Sequence, residues 1–357
     1  MLTPVVVVGA GVVGLTTALQ LKRSIPSLDV TVVANYLPGD DHISYTSPYA
    51  GANWHSFADT NNKRLQDLDV VGYHEFMKLA DDPASGVWRK PNVSFKTPKA
   101  LARVNGDPSQ FREWFHELAN TRVLQKHELR PGTVYGESFD GVVISVPIYL
   151  SYLVQKCLAL NILIRRVPAI KDISEARSLH SSGKSAKFVV NCTGLLATKI
   201  GGFTDPKRNF PVRGQVVVLR NTVDTVISVD GHEEPNEALY IFPRKEGGCI
   251  VGGSFFADNW DSSEDRGLTQ RILQRALKYV PELVDPNFKN NPAFLDIVKV
   301  NVGLRPFRDG DVRIEIDDLK PWLIHNYGAG GGGYQGSYGF ATEVVKLVEV
   351  ALTKAKL

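Results

Sequence analysis

Three glycines near the start of the chain have the spacing of a dinucleotide-binding turn. Gly9, Gly11 and Gly14 stand between four consecutive valines (5–8) and a segment with helical apolar spacing (15–21). In such a turn the first glycine allows a tight bend, the second lets the backbone approach a pyrophosphate, and the third lets helix and strand pack closely. The spacing predicts a phosphate site at a helix N-terminus, with a purely structural glycine turn as the alternative.

A second glycine-rich loop lies near the other end of the chain. Residues 328–335 stand between a strand-like segment (322–327) and a helical one (338–353). A second helix N-terminus is therefore available to a ligand with partial negative charge. Two such loops fit the long cofactor FAD better than NAD, because the flavin ring needs a partner along one edge. A flexible glycine linker is the alternative.

Arg305 is the side chain most suited to bind a substrate. It lies between apolar residues and proline in Val-Gly-Leu-Arg-Pro (302–306). A partly buried guanidinium needs a planar acceptor, which a substrate carboxylate or a structural ion pair would provide. The histidines are dispersed, and the sequence has no Ser-His-Asp grouping or Walker loop. We therefore expect a bound cofactor to supply the reactivity.

The elements around the first glycine turn have a βαβ pattern. Valines without alternation predict a strand that is buried on both faces, and a second strand follows at 30–33. That strand is followed by Asn35, at the position where an acidic residue usually binds the ribose. An amide can accept the same hydrogen bond without a charge. Further strands at 162–167 and 188–194 are expected to join this sheet.

Between Arg213 and Phe256 the pattern changes to short strands separated by polar turns. Strands at 215–220, 238–243 and 249–253 without intervening helices predict an antiparallel sheet. The expected fold is α/β, with an FAD-binding Rossmann-like domain and a substrate-binding domain that has a mixed or antiparallel sheet. The predicted boundaries give the first domain residues 1–55, 140–205 and 320–357, and the second domain residues 56–139 and 206–319.

Composition excludes several classes of function. The 357 residues carry a net charge of +3 and are 43% hydrophobic, which fits about two ordinary globular domains. No basic run contains interleaved aromatics, so nucleic acid is not an expected partner. No apolar stretch reaches the roughly 20 residues of a membrane span, and the first strand leaves no room for a signal peptide. Cys157, Cys192 and Cys249 are widely spaced, so we expect buried thiols and no metal site.

The last three residues, Ala355-Lys356-Leu357, are a conservative variant of the peroxisomal address Ser-Lys-Leu. They predict recognition by the peroxisomal import receptor and a location in the peroxisome matrix. The sequence leaves the oligomeric state open, a homodimer included.

Six motifs occur in the same order as in the D-amino-acid oxidase family, and the chain resembles its fungal members in particular. The resemblance spans nearly the whole chain. It implies that FAD accepts hydride from a D-amino acid and passes the electrons to O2, giving a 2-oxo acid, ammonia and hydrogen peroxide. The motifs are residues 9–14, 46–54 (Thr-Ser-Pro-Tyr-Ala-Gly-Ala-Asn-Trp), 210–215 (Phe-Pro-Val-Arg-Gly-Gln), 240–244 (Tyr-Ile-Phe-Pro-Arg), 302–306 and 333–335 (Gly-Tyr-Gln).

The resemblance also implies roles for individual residues. Arg305 would bind the substrate α-carboxylate, Tyr240 would add a hydroxyl hydrogen bond, and Gln335 would lie beside the amine and the flavin edge. Asn53 and Phe255 complete the predicted catalytic set. The predicted cofactor-binding residues are Gly9, Gly11, Val12, Val13, Gly14, Asn35, Thr46, Ser47, Ala50, Gly51, Ala52, Asn53, Val167 beside the adenine, Thr193 and Gly194 beside the phosphates, Arg305, Gly330, Gly331, Gly332, Gly333, Tyr334 and Gln335.

Substrate preference depends on Phe255, which follows Gly-Gly-Ser (252–254). Some members of the family have a second tyrosine here, and the animal D-aspartate oxidases have arginine after the serine. The phenyl ring favours neutral or apolar substrate side chains. A D-aspartate oxidase is the alternative, with an inward-facing cation near a predicted lid (221–237). The candidate cations are His55, His232, Arg244 and Lys245.

Two remoter alternatives are a flavin-binding protein without catalysis and a nicotinamide-dependent dehydrogenase. Arg305 and Tyr240 argue against the first, because an inactive pocket needs no carboxylate clamp. The second would leave the 328–335 loop without a ligand.

Overall fold

The computed structural model describes residues 2–284 and 294–354. The helices of this part of the chain are α1 Val12–Ser24, α2 Lys63–Leu79, α3 Pro98–Arg103, α4 Val146–Ala159, α5 Arg266–Tyr279 and α6 Ser337–Lys354. The strands are β1 Thr3–Val8, β2 Leu28–Ala34, β3 Ala52–Asn53, β4 Val87–Arg89, β5 Asn92–Lys96, β6 Arg122–Val123, β7 Tyr135–Phe139, β8 Val142–Ile144, β9 Leu163–Arg166, β10 Phe188–Asn191, β11 Asn209–Leu219, β12 Val226–Asp230, β13 Glu237–Pro243, β14 Cys249–Ser254, β15 Phe256–Ala257, β16 Ile297–Arg308, β17 Arg313–Ile316 and β18 Leu323–Tyr327.

The first sheet has the strand order β17-β18-β10-β1-β2-β9 in the described part of the chain. All neighbours are parallel except β17, which is antiparallel to β18. Val5 and Val7 of β1 pack into the core beneath α1, α4 and α6, whereas Val6 and Val8 pack into a smaller core on the opposite face. The expected strand buried on both faces is therefore confirmed, and β9 and β10 join this sheet as predicted.

The second sheet has the order β15-β11-β14-β13-β12-β5-β7-β6 in the described residues, and β16 also pairs with β11. Its strands are antiparallel except for the parallel pair β5 and β12. Val217, Ile241 and Val251 point to one face, where α5 covers them. The opposite face carries Tyr240 and Val216. The expected α/β fold with a mixed sheet is confirmed.

The third sheet is small and antiparallel, with the order β3-β8-β4. It pairs residues 52–53, which follow the 45–51 segment, with β8. Helix α2 lies beside it and begins after Asn62, whose side chain accepts a hydrogen bond from Leu65 N. Leu68, Tyr73 and Phe76 of α2 belong to the same core as β1. Part of the predicted substrate-binding segment thus packs against the first sheet.

Three expectations need adjustment. The apolar run 142–146 is typical of a strand, but the strand ends at Ile144, because Val146 begins α4 with proline in its first turn. The predicted lid at 221–237 contains β12, a buried strand between β5 and β13, so it is not a free lid. The division into two domains stays a prediction, and the pairing of β17 with β18 would place its last boundary before residue 313.

All three cysteines are free and buried, as expected. Burial raises the pKa of each thiol to about 12. Within residues 2–284 and 294–354 no helix is long and apolar enough to cross a membrane. No group of acidic, histidine and cysteine side chains in that part of the chain is arranged to hold a metal ion. The Ala355-Lys356-Leu357 tripeptide lies outside the described residues.

Candidate functional site

A cavity of about 520 Å³ runs between the edge of the first sheet and the uncovered face of the second sheet. Both glycine-rich loops contribute to it, together with segments that follow β2, β9 and β10. Of the predicted site residues, it is lined by Gly9, Gly11, Val12, Val13, Asn35, Thr46, Ser47, Ala50, Gly51, Val167, Thr193, Gly194, Tyr240, Arg305, Gly330, Gly331, Gly333 and Tyr334.

The first glycine turn has the geometry that its sequence predicts. Gly9 has φ +115°, and a Cβ there would overlap the backbone O of Cys192 on the neighbouring strand. Gly14 does not line the cavity, because it packs against the backbone of Gly9. The backbone N–H of Val13 has no acceptor among the described residues, so it is available to a ligand. The start of α1 thus offers the features of a phosphate site.

The segment 45–51 closes the cavity against the first turn. Ser47 Oγ accepts a hydrogen bond from Val12 N at 3.0 Å, and Tyr45 Oη donates to Ala10 O at 2.8 Å. Thr46 Oγ1 donates to Leu304 O at 2.7 Å and so ties this segment to β16. The side chains predicted to touch the cofactor therefore also position the loops around it.

The second glycine loop is held between β16 and the 45–51 segment. Gly330 N donates to Pro306 O at 2.8 Å, and Gly330 has φ +55°. Tyr334 Oη donates to Ser47 O at 2.8 Å. The N–H groups of Gly333 and Tyr334 have no acceptor among the described residues. They form a second set of free donors beside the cavity, just before α6.

Arg305 projects from β16 into the cavity. Its Nη1 donates to Ser254 O at 2.9 Å, and no carboxylate of the described residues pairs with it. Its Cζ lies 4.4 Å from the ring centroid of Phe255. A side chain on Gly214 would collide with the guanidinium, so the glycine of the Arg-Gly-Gln motif makes room for Arg305.

Tyr240 lies on β13 beside Arg305. Burial raises the pKa of its hydroxyl, and the nearby guanidinium opposes that rise. A Cβ on Gly252 or Gly253 would overlap the Tyr240 phenol, which explains the glycine pair opposite it on β14. One guanidinium and one neutral hydroxyl thus face the same space, and together they can bind a planar carboxylate.

Six predicted site residues do not line the cavity. Gly14 and Ala52 are buried outside the lining, Gly332 lies in the second glycine loop between lining residues, and Phe255 contacts the Arg305 guanidinium. Asn53 Nδ2 donates to Asn92 Oδ1 at 2.9 Å, and Gln335 Nε2 donates to Asp69 Oδ2 at 3.3 Å. Their roles toward a ligand remain predictions.

The four candidate cations for an acidic substrate are all engaged elsewhere or neutral. Burial lowers the pKa of His55 to about 4, so its imidazole is neutral at physiological pH. His232 Nε2 bonds to Val229 O, and Arg244 pairs with Glu246 at 3.5 Å. Lys245 Nζ donates to Pro83 O at 2.9 Å.

The sequence reasoning missed several residues around the cavity. Tyr36, Lys171 and Lys199 line it near Val167 and Thr193. Tyr36 directly follows Asn35, which was a usable signal. Lys171 lies in a loop and Lys199 ends a short 3-10 helix, and neither segment carries a sequence motif, so only the folded structure shows them.

Residues 4–347 match the model of a family described as FAD dependent oxidoreductase. The chain belongs to this family. A D-amino-acid oxidase from Fusarium vanettenii is 36% identical over 99% of this chain and 98% of its own length. A D-amino-acid oxidase from Schizosaccharomyces pombe is 34% identical over 99% of this chain and 97% of its own length. A D-aspartate oxidase from Talaromyces thermophilus is 29% identical over 96% of this chain and 94% of its own length. The resemblance to the D-amino-acid oxidases is confirmed.

The fold of this FAD-dependent oxidoreductase is also found in solved structures. The glycine oxidase from Geobacillus kaustophilus aligns with a TM-score of 0.76 at 19% identity, covering 97% of this chain and 94% of that one. FAD is the cofactor, as predicted. The cavity fits it, because free N–H donors lie at both glycine loops and the glycines leave room for close backbone approach.

Proposed function

We propose that this chain oxidises D-amino acids with neutral side chains to 2-oxo acids, ammonia and hydrogen peroxide, with O2 as the electron acceptor. The observation that carries the proposal is the unpaired guanidinium of Arg305 in the cofactor cavity. Arg305 is half-buried and has no acidic partner among the described residues, so its guanidinium is available to an incoming carboxylate. D-amino-acid oxidases at 36% and 34% identity support the same substrate class.

Each part of the proposed site has a separate task. When bound, FAD supplies the two-electron oxidant that accepts the α-hydrogen of the substrate as hydride. Arg305 and Tyr240 hold the α-carboxylate, which fixes the position of the α-carbon. Val13, Gly333 and Tyr334 offer N–H groups to the cofactor. No side chain has to act as acid or base in the oxidation if the amine enters neutral.

The neutral preference rests on the surroundings of Arg305. Phe255 covers one face of the guanidinium with an apolar ring. A second substrate carboxylate would need a second cation, and His55, His232, Arg244 and Lys245 are all engaged elsewhere or neutral. A D-aspartate oxidase is the second candidate, since a relative of that name is 29% identical.

The test is peroxide production by the purified, FAD-loaded protein with D-alanine, D-aspartate and their L-enantiomers in parallel. Faster oxidation of D-alanine is expected. A preference for D-aspartate would move the assignment to the acidic class. Absence of turnover together with no bleaching of the flavin under anaerobic conditions would support a non-catalytic flavin-binding protein.

We also propose that the protein resides in the peroxisome matrix. The support is the Ala355-Lys356-Leu357 ending, which an import receptor would bind, together with a reaction that makes peroxide. Removing these three residues should leave the specific activity unchanged and disperse a fluorescent fusion into the cytosol. A fusion that still co-localises with a peroxisomal marker after the deletion would contradict the proposal.

A further inference from the structure

A buried carboxylate lies next to the candidate site without a charged partner. Asp69 of α2 is 1% exposed and forms no ion pair with any described residue. Its Oδ2 accepts hydrogen bonds from Ser56 Oγ at 2.6 Å and from Gln335 Nε2 at 3.3 Å. Its Oδ1 is buried and has no hydrogen-bond partner within residues 2–284 and 294–354. Burying a carboxylate without a charged partner lowers the stability of the fold, so we expect Asp69 to have a functional role.

The hydrogen bonds around Asp69 have one consistent direction. Ser56 Oγ accepts from Trp114 Nε1 at 3.1 Å and from Ala58 N at 3.1 Å, so its single proton is free to be donated to Asp69. An ionised carboxylate can only accept, so Gln335 must present its NH2 group to Asp69. Burial raises the pKa of Asp69 to about 6, which leaves it ionised at pH 8.

The other end of the Gln335 amide is therefore an acceptor. Gln335 Oε1 has no partner among the described residues, and the amide group lies next to Gly332, with Nε2 3.6 Å from the position of a Cβ there. Gln335 directly follows Gly333 and Tyr334, which line the cavity. Gln335 is buried directly behind this lining, where its carbonyl oxygen would accept an N–H of the substrate amine. A flipped amide would instead donate to the lone pair of the amine, which must remain free to form the C=N bond of the imine as the hydride leaves.

The backbone around Asp69 is held rigidly. Trp54 Nε1 donates to Asp69 O at 3.0 Å. One turn further along α2, a side chain on Gly72 would overlap the backbone O of Gln335, so α2 and the start of α6 are in direct backbone contact. The separation between the carboxylate and the amide is thus set by two packed elements.

We propose that Asp69 is a positioning residue that fixes the Gln335 amide with its carbonyl oxygen toward the substrate amine. The inference rests on the proposed function, because the amine is that of the amino acid bound by Arg305. Asp69 does not touch the substrate itself, so its whole effect on turnover should pass through Gln335.

A double-mutant cycle tests this directly. Asp69→Asn should lower kcat/KM for D-alanine roughly fivefold to tenfold, because the amide loses its fixed orientation. Gln335→Met should lower it by a similar or larger factor. If Asp69 acts through Gln335, the double variant should match Gln335→Met alone. Factors that multiply in the double variant would overturn the inference. Asp69→Ser enters the same cycle as a second variant if Asp69→Asn does not fold.

A binding measurement separates orientation from general damage. Propionate is D-alanine without its amine, and its affinity can be measured from the change in flavin absorbance. Asp69→Asn should leave the propionate Kd within twofold of wild type, and a large loss of propionate binding would contradict a role at the amine. The matched control is Asp67→Asn on the exposed face of α2, where Asp67 pairs with Lys63.

The outcomes for the two proposals are distinct. Wild-type protein that oxidises no D-amino acid removes the proposed function and this inference with it. Wild-type protein that oxidises D-alanine while Asp69→Asn matches it within twofold removes the inference alone.

Discussion

At the scale of single residues, Arg305 is held by contacts that leave most of its donors unused. One N–H reaches Ser254 O, and the Phe255 ring supports one face of the guanidinium. A cation over an aromatic ring contributes about 0.5–2 kcal/mol without occupying a donor. The guanidinium is therefore kept in place while its in-plane N–H groups remain free for a carboxylate.

Arg305→Ala should lower kcat/KM for D-alanine by a factor on the order of 1,000, since removing one partner of a buried charge pair costs about 3–5 kcal/mol. Flavin content should be unchanged, as measured by absorbance after gel filtration. Arg208→Ala is the control, because Arg208 is an exposed arginine that pairs with Asp258. Arg305→Ala with wild-type kinetics would remove Arg305 from the carboxylate role.

Sequence reasoning found Arg305 but could not find Asp69. Arg305 stands among apolar residues and next to a proline, which is a local signal of a partly buried cation. Asp69 lies in an ordinary helical pattern, and its importance comes from Gln335, which is 266 positions away in sequence. A long-range hydrogen bond of this kind leaves no trace in local spacing.

At the scale of elements, the helices α2 and α6 are packed at backbone distance. Side chains on Gly72 and Gly339 would each overlap a backbone oxygen of the facing segment. Glycine in a helix is normally unfavourable by about 1 kcal/mol relative to alanine, so these positions are occupied for packing.

Gly72→Ala should therefore lower the free energy of unfolding by about 1–3 kcal/mol, the usual cost of overpacking. Gly267→Ala in α5 is the matched control, because its Cβ would meet only side-chain atoms at 3.3 Å and 3.4 Å. That control should lie within about 1 kcal/mol of wild type or above it. Chemical denaturation of both variants measures the difference, and equal stabilities would refute the close-packing argument.

Elements with local signals were predicted well, and elements defined by distant partners were not. Strand β1, the first glycine turn and α1 could be predicted because their signals lie in adjacent residues: a run of valines, spaced glycines and helical apolar spacing. Strand β12 was mistaken for part of a lid, because its parallel partner β5 lies more than a hundred residues earlier in the chain. Its alternation, with Ile227 and Val229 on the α5 face, was a usable signal.

At the scale of the whole molecule, three buried groups affect stability in acid with different signs. Burial lowers the pKa of His55 and of His325 to about 4. The unfolded chain therefore takes up protons between pH 6.5 and 4 that the folded chain does not, and stability falls as the pH is lowered. Asp69 has the opposite effect on stability. Its raised pKa means that the folded chain takes up this proton at a higher pH than the unfolded chain does, so protonation of Asp69 favours the folded state.

His55→Phe should reduce the loss of stability in acid. The ring would replace an imidazole whose Nδ1 has no partner in the described structure and which packs against Phe57, Phe115 and Phe139. Relative to wild type, the variant should gain about 2 kcal/mol on going from pH 7.5 to pH 5. Unfolding temperature as a function of pH measures this. His127→Phe, at an exposed histidine, should keep the wild-type slope, and an unchanged slope in His55→Phe would contradict the sign derived above.

The strand order of the first sheet has a consequence for how the protein is made. Strand β1 is synthesised well before its neighbour β10 and the next strand β18, which come from much later parts of the chain. At about 5–20 residues per second, the roughly 300 residues between β1 and β18 take tens of seconds to translate. During part of that time the valines of β1 lack the neighbouring strand β10 and the core residues that come from later parts of the chain. The nascent chain therefore depends on protection from aggregation, and the cofactor cavity is completed only after the second glycine loop has been translated.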